Sequence, residues 1–286
     1  IRRPPSSTLF PYTTLFRSTF DERLVLTVGG EEVHLVHHPA ETDDQCYAWF
    51  PDRRALYSAD YYQGFLPNLG NGKRTQRGTD DWVLAMREMA DLGPLLLFPG
   101  HGEPITDPEL IRSEFHLLAD ALEHIIDHVV DGLNRRLRKD LIVDTLDWPE
   151  RFADHPTLAI RYVTPGDIAR MVIKRWTGWW DDIPSHWSPA PLIDQAATVV
   201  DLAGGLGPLV ARAHSLVDAD VAQACHLADW AWYADPHHPD VQQLVVDAYT
   251  ARVMDPASNT QEILVYLDQA AAARALQLRT TGHPDP

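Results

Sequence analysis

The sequence predicts an α+β chain: a small sheet-forming region in the first third, followed by an all-helical remainder. Three observations carry this. Two β-branched runs flank Gly29-Gly30 near the start. A strand, helix, strand order then runs through residues 55–98. After Pro108 the apolar residues recur with helical spacing and no comparable strand signal returns. At 286 residues the chain is long enough for two domains.

The elements follow in order. Residues 23–28 (RLVLTV) and 31–36 (EEVHLV), split by two glycines, read as a β-hairpin. Residues 45–50 (QCYAWF) and 55–58 (ALYS) give two more strands, turned by Pro51-Asp52-Arg53. Residues 60–78 are rich in Gly, Asn and Arg and read as a long loop. Residues 79–92 predict a helix with Thr79 as N-cap, early acids, and Trp82, Met86 and Met89 on one face. LLLF at 95–98 predicts a buried strand ending at Pro99-Gly100-His101-Gly102. An α/β sandwich layer is the architecture this order suggests.

Residues 107–138 predict one long helix, with Leu110, Phe115, Leu118, Leu122, Ile125, Val129 and Leu133 near a 3.6-residue period. Residues 143–163 are mixed, and 165–177 open a helix on Pro165. The segment 178–190 is an aromatic, Pro-bearing loop. From 191 onward the chain is rich in Ala, Leu and Val, with breaks at Gly204-Gly205, Asp218-Ala219-Asp220, Asp235-Pro236 and Pro256. The last stretch resembles paired, tetratricopeptide-type antiparallel helices. The expected organisation is a non-native segment at 1–18, a sandwich-type region at 19–108 and a helical region at 109–286. The run PYTTLFRS within 1–18 resembles translated sequencing-adapter DNA, which implies that the natural N-terminal portion is replaced.

Composition narrows the function classes. A net charge of −17 disfavours a nucleic-acid backbone or an anionic membrane surface as partner. No apolar run reaches the length of a membrane span. The two cysteines, Cys46 and Cys225, are far apart and read as small buried hydrophobes. Compartment is not legible.

Chemistry concentrates in three turns after apolar runs. Glu41 stands in His-His-Pro-Ala-Glu-Thr-Asp-Asp, Asp60 follows the second strand pair, and His101 stands in Pro-Gly-His-Gly-Glu-Pro. Carboxylates and imidazole suit divalent ions, and flanking glycines let backbone bend close to an ion. Glu41, Asp60 and His101 are therefore candidate metal ligands. His37 and His38 suit supporting roles beside them. His124 and His128, spaced i, i+4, read as a solvated helix face. Trp176, Trp179, Trp180 and Trp187 read as a packing cluster between domains.

On these residues the first region resembles the C-terminal half of the metallo-β-lactamase fold. The histidine of that fold's Thr-Pro-Gly-His segment is replaced by Glu41, in His38-Pro39-Ala40-Glu41. A Glu there, an acid nineteen positions on and a downstream His are similar to the zinc-dependent alkylsulfatase branch. Trp176-Thr177-Gly178-Trp179-Trp180-Asp181-Asp182-Ile183-Pro184 resembles the signature of the helical alkylsulfatase dimerisation domain, and Ala234-Asp235-Pro236 matches one of its helix ends. Together the two resemblances cover residues 19 to about 280.

The resemblance implies a zinc hydrolase that cleaves alkyl sulfate esters, with two zinc ions and a homodimer formed through the helical domain. Glu41 and His101 become zinc ligands. Asp60 becomes the catalytic bridging carboxylate, where the branch usually has Glu. Within NLGNGKRTQRG (68–78), Arg77 is the first choice to clamp sulfate, ahead of Arg74 and Lys73, with Asn68 adding a hydrogen bond. The family's His-x-His-x-Asp-His segment and its sterol-carrier-type domain have no counterpart here. The chain is therefore expected to be an inactive fragment. Two alternatives stay open: another esterase or lactonase of the same fold, or a helical-repeat interaction module beside a degenerate metal domain.

Overall fold

A computed structural model describes residues 19–75 and 77–280. The adapter-like segment 1–18 lies outside the described residues. One five-stranded sheet has the order β1-β2-β3-β4-β5: β1 (Arg23–Val28), β2 (Glu31–His37), β3 (Cys46–Phe50), β4 (Ala55–Ala59) and β5 (Leu96–Pro99). The first three pairings are antiparallel and β4–β5 is parallel. A parallel pair needs a crossover, here supplied by α1 (Thr79–Asp91). The first turn is where the sequence places it. Gly29 and Gly30 have φ of 62° and 89°, the left-handed pair that a two-residue hairpin turn requires.

α1 buries Trp82, Met86 and Met89, the face that the spacing predicts. Its N-cap is Gly78 rather than Thr79, which is the first helical residue; the Thr79 hydroxyl is buried without a hydrogen bond. α2 (Pro108–Asn134) is a single helix of 27 residues. Its stripe starts at Ile111 instead of Leu110, which is exposed. Ile111, Phe115, Leu118 and Leu122 keep the i, i+4, i+7, i+11 spacing, and Leu110 falls one position off that face.

Further helices are α3 (Lys139–Asp144), α4 (Glu150–Ala153), α5 (Pro165–Trp176), α6 (Leu192–Leu202), α7 (Leu206–His214), α8 (Val221–Ala234), α9 (Pro239–Met254) and α10 (Thr260–Thr280). The breaks coincide with the glycines and prolines read from sequence. Gly204 has φ of 83° just after α6, and Asp235-Pro236 fall between the end of α8 at Ala234 and the start of α9. Small residues let these helices approach closely: Ala224, Ala228 and Ala231 of α8 are fully buried against a core containing Val241, Leu244 and Val245. The mixed α+β class with a helical C-terminal region is therefore the observed one.

The chain divides into two compact units. One holds the sheet, α1 and the start of α2 to His124; the other holds the loop beginning at Asn68 and everything from Ile125 onward. No helix among the described residues is long and apolar enough to cross a membrane.

Two expectations change. Trp187 meets Trp179 and Trp180 at 5.5 Å between ring centroids in each case, but Trp176, Trp179 and Trp187 remain exposed, with Trp179 at 70%. Trp179, Trp180 and Trp187 pack on one another rather than into a core. His128 is not on a solvated face: its Nε2 lies 2.8 Å from the Ile142 carbonyl oxygen.

Candidate active site at the strand ends

The sheet places the candidate donors. β4 and β5 run parallel, so Asp60 and His101 leave adjacent strands at the same end. Ala59, at the end of β4, has φ of 46° and lies at a register shift in the pairing. A non-glycine residue in that region carries strain of about 1 kcal/mol or more. The bend turns Asp60 away from the strand line. The Gly100 amide donates to the Ala59 carbonyl at 2.8 Å and ties the two turns together. A Cβ at Gly100 would fall on Asp60 Oδ1 and the Ala59 backbone, which is why Gly stands before His101.

In this setting His101 Nε2 lies 3.3 Å from Asp60 Oδ1. The imidazole is open to solvent, with the side chain 60% exposed. The two donors from β4 and β5 are thus brought together.

Glu41 has a different surrounding. Its Oε1 lies 3.1 Å from Arg77 Nη1, and its Oε2 accepts from Gln63 Nε2 at 3.1 Å. The Glu41 amide donates to Gln45 Oε1 at 3.1 Å. The Arg77 side chain is only 8% exposed. Its Nε and Nη1 make no hydrogen bond, so the Glu41 contact is an ion pair out of line for hydrogen bonding. A buried guanidinium with two unanswered donors is costly unless an anion completes it.

The neighbouring histidines are engaged. His37 Nδ1 and Nε2 lie 2.6 and 2.8 Å from the carbonyl oxygens of Asp21 and Asp43. His38 Nε2 meets Glu88 Oε2 at 2.8 Å. Burial opposes charge on Glu88, but the His38 and Tyr47 contacts outweigh it and hold its carboxyl below the ordinary range. Both histidines buttress turns.

Asn68 and Arg74 belong to the second unit, where Arg74 is exposed and Asn68 half-buried. Gln63, Gln45 and Tyr61 were not legible as site residues. Tyr61 accepts from the His38 amide at 3.2 Å, and its hydroxyl faces the Gln45 carbonyl at 3.0 Å. The only sequence signal was an uncharged polar residue, Gln63, inside the apolar run YYQGF.

Among the described residues, no group of three or more His, Cys, Asp or Glu side chains is placed to hold one ion. Asp60 and His101 form a pair, while Glu41 faces a guanidinium, which competes with any cation for its charge. These three donors by themselves do not fit a two-zinc centre.

Comparison with known proteins gives the relationship. Residues 139–275 match the family described as alkyl sulfatase dimerisation. A linear primary-alkylsulfatase of a Pseudomonas species is 28% identical over 233 residues, covering 80% of this chain and 42% of that protein. The alkyl/aryl-sulfatase BDS1 of Saccharomyces cerevisiae is 22% identical over 250 residues, covering 84% and 38%. The stereoselective inverting sec-alkylsulfatase Pisa1 from Pseudomonas sp. superposes with a TM-score of 0.82 at 19% identity, covering 90% of this chain and 41% of that one. The likeness in structure is one of fold, and the chain spans about two fifths of the length of these relatives. Residues 139–275 are thus an alkyl sulfatase dimerisation region, and the chain as a whole is similar to alkylsulfatases in sequence and fold.

Proposed function

We propose that the whole protein hydrolyses alkyl sulfate esters to an alcohol and sulfate, and that Arg77 holds the sulfate group. The observation that carries this is the Arg77 guanidinium: buried, beside a carboxylate, with Nε and Nη1 unanswered. A guanidinium fork matches two oxygens of a tetrahedral oxyanion, and in a buried setting that match is strong. Glu41 balances the cation while no anion is bound, and Gln63 keeps the carboxylate oriented once Arg77 turns to substrate. Asn68 and Arg74 are the further sulfate contacts that the resemblance implies.

Two zinc ions are the proposed cofactor of the whole protein, with Glu41, Asp60 and His101 among their ligands and Asp60 as the catalytic bridging carboxylate. Because these three do not converge here, this chain alone is proposed to be inactive. The partner is a second copy, through residues 139–275, and the substrate is a small alkyl sulfate.

The test is sulfate release from alkyl sulfates by the whole protein and by its Arg77→Ala and Arg77→Lys variants. Loss of about a hundredfold in kcat/KM for both is expected, since lysine lacks the fork. A zinc-loaded whole protein without activity on any alkyl sulfate overturns the substrate class. Asp60, where the branch usually has Glu, favours a second reading as an esterase or lactonase; turnover of lactones in preference to sulfate esters would establish it.

A further inference from the structure

We propose that a cavity of about 400 Å³ between α8, α9 and α10 binds an alkylated ammonium cation, with the carboxylates of Asp229 and Asp268 and the rings of Trp232, Tyr233 and Tyr249 around it. Helical periodicity builds this cavity. Asp229, Trp232 and Tyr233 stand at i, i+3 and i+4 and share one face of α8. Val265 and Asp268, three residues apart, share one face of α10. Tyr249 comes from α9, which packs against both of these helices. The walls are held in place. Tyr249 is buried, and its hydroxyl donates to Asp229 Oδ1 at 2.6 Å, which ties α9 to α8. Trp230 meets the Tyr233 ring edge to face at 6.4 Å between centroids.

The carboxylates lack a firm counter-ion. Asp229 is half-buried, and among the described residues the Tyr249 hydroxyl is the group that bonds its carboxylate. A favourable field also reaches it from His226, which is exposed one turn earlier on the same helix. Burial outweighs both and raises the Asp229 carboxyl, as befits a charge without a partner. Asp268 pairs with Lys73 at 3.1 Å, but both side chains are well exposed and such a pair is weak in water. The outer carboxylate of the cavity thus already takes an ammonium group from the chain itself.

The rings decide which cation fits. A hydrated metal ion calls for several converging oxygen donors, and among the described residues no group of three or more such side chains is placed to hold one. A neutral apolar ligand would leave the Asp229 charge unanswered. An alkylated ammonium ion meets both demands. Its charge is spread over the carbon groups on nitrogen, which rest on aromatic faces and on Val265 while attracted by the rings and carboxylates. The volume lies at the small end of ligand pockets, which suits a compact head group. The inference does not rest on the hydrolase reading, and no residue lining this cavity is assigned to the sulfate group.

Proton NMR titration of the full chain with tetramethylammonium chloride tests it. Ionic strength is held constant with sodium chloride, so that the general pull of a chain of net charge −17 on any cation is the same throughout. A saturable upfield shift of the methyl signal is expected, because ring currents act on protons above aromatic faces, with Kd below about 5 mM. tert-Butanol, of like shape without the charge, and ammonium chloride, charged without methyl groups, should compete at least about tenfold more weakly. Asp229→Asn keeps an acceptor for the Tyr249 hydroxyl and should weaken binding about tenfold with an unchanged thermal melt. Tyr233→Leu, at an exposed position, should weaken it about threefold and reduce the limiting shift. If Asp229→Asn lowers the melt, Asp268→Asn, also at an exposed position, takes its place with about threefold weakening expected. No saturable shift up to about 50 mM, equal competition by tert-butanol or by ammonium, or undiminished binding in the carboxylate and Tyr233 variants overturns the proposal.

Discussion

Gly100 fixes the relation between Asp60 and His101 through the absence of a side chain. A methyl group there would collide with Asp60 Oδ1 and the Ala59 backbone. Gly100→Ala is expected to destabilise the chain by about 1–3 kcal/mol, read as a lowered melting midpoint. Glu88 gives a pH-dependent counterpart. A carboxyl held low in the folded state contributes stability that is present above its unfolded pKa and is lost as pH falls through the folded one. With the ordinary value at 4.5, the loss falls in acid below that pH. Glu88→Gln should therefore flatten the acid-side decline of stability in urea titrations between neutral pH and pH 3; an unchanged profile would show that the His38 contact is energetically silent. The cysteines behave as their burial dictates. Burial pushes the Cys225 thiol up to about 11 and raises Cys46 as well. Slow modification of both by a disulfide reagent at pH 8 is expected, with Cys225 reacting only after denaturant is added.

At the scale of elements, the punctuation of the chain was largely legible. Gly29-Gly30, Pro51, Pro165, Gly204 and Pro236 each mark a turn or helix start that local backbone chemistry requires. Thr164-Pro165-Gly166-Asp167 forms a capping box, and Thr164→Ala should cost about 1 kcal/mol, visible as a melting shift of a few degrees. What escaped the reading was set by neighbours. Leu110 has the right spacing to within one residue, yet Ile111 is the residue that α2 buries. Gly78 caps α1 because the Thr79 hydroxyl is buried where it finds no backbone amide. The tryptophans of 176–187 have core composition but lie on an exposed segment. Composition alone does not distinguish a core from an interface.

For the whole molecule, the exposed Trp179 and Trp187 pair falls within the stretch that matches the dimerisation family. A homodimer by light scattering is expected, and Trp179→Ser with Trp187→Ser should shift it toward monomer; a wild-type monomer at about 100 μM would remove the dimer proposal. Zinc calorimetry on the chain itself should give at most weak binding, because Glu41 faces Arg77 and the described residues hold no three-donor group. Submicromolar stoichiometric zinc would refute that. The sequence by itself determined the α+β order, the turns, and the placing of Glu41, Asp60 and His101 after strands, because these depend on neighbours within a few residues. Only the tertiary structure decided that Asp60 meets His101, that Arg77 is buried on Glu41, and that Asp229, Tyr249 and Asp268 wall one cavity. Those meetings depend on how elements pack across long stretches of chain, and no local propensity encodes them.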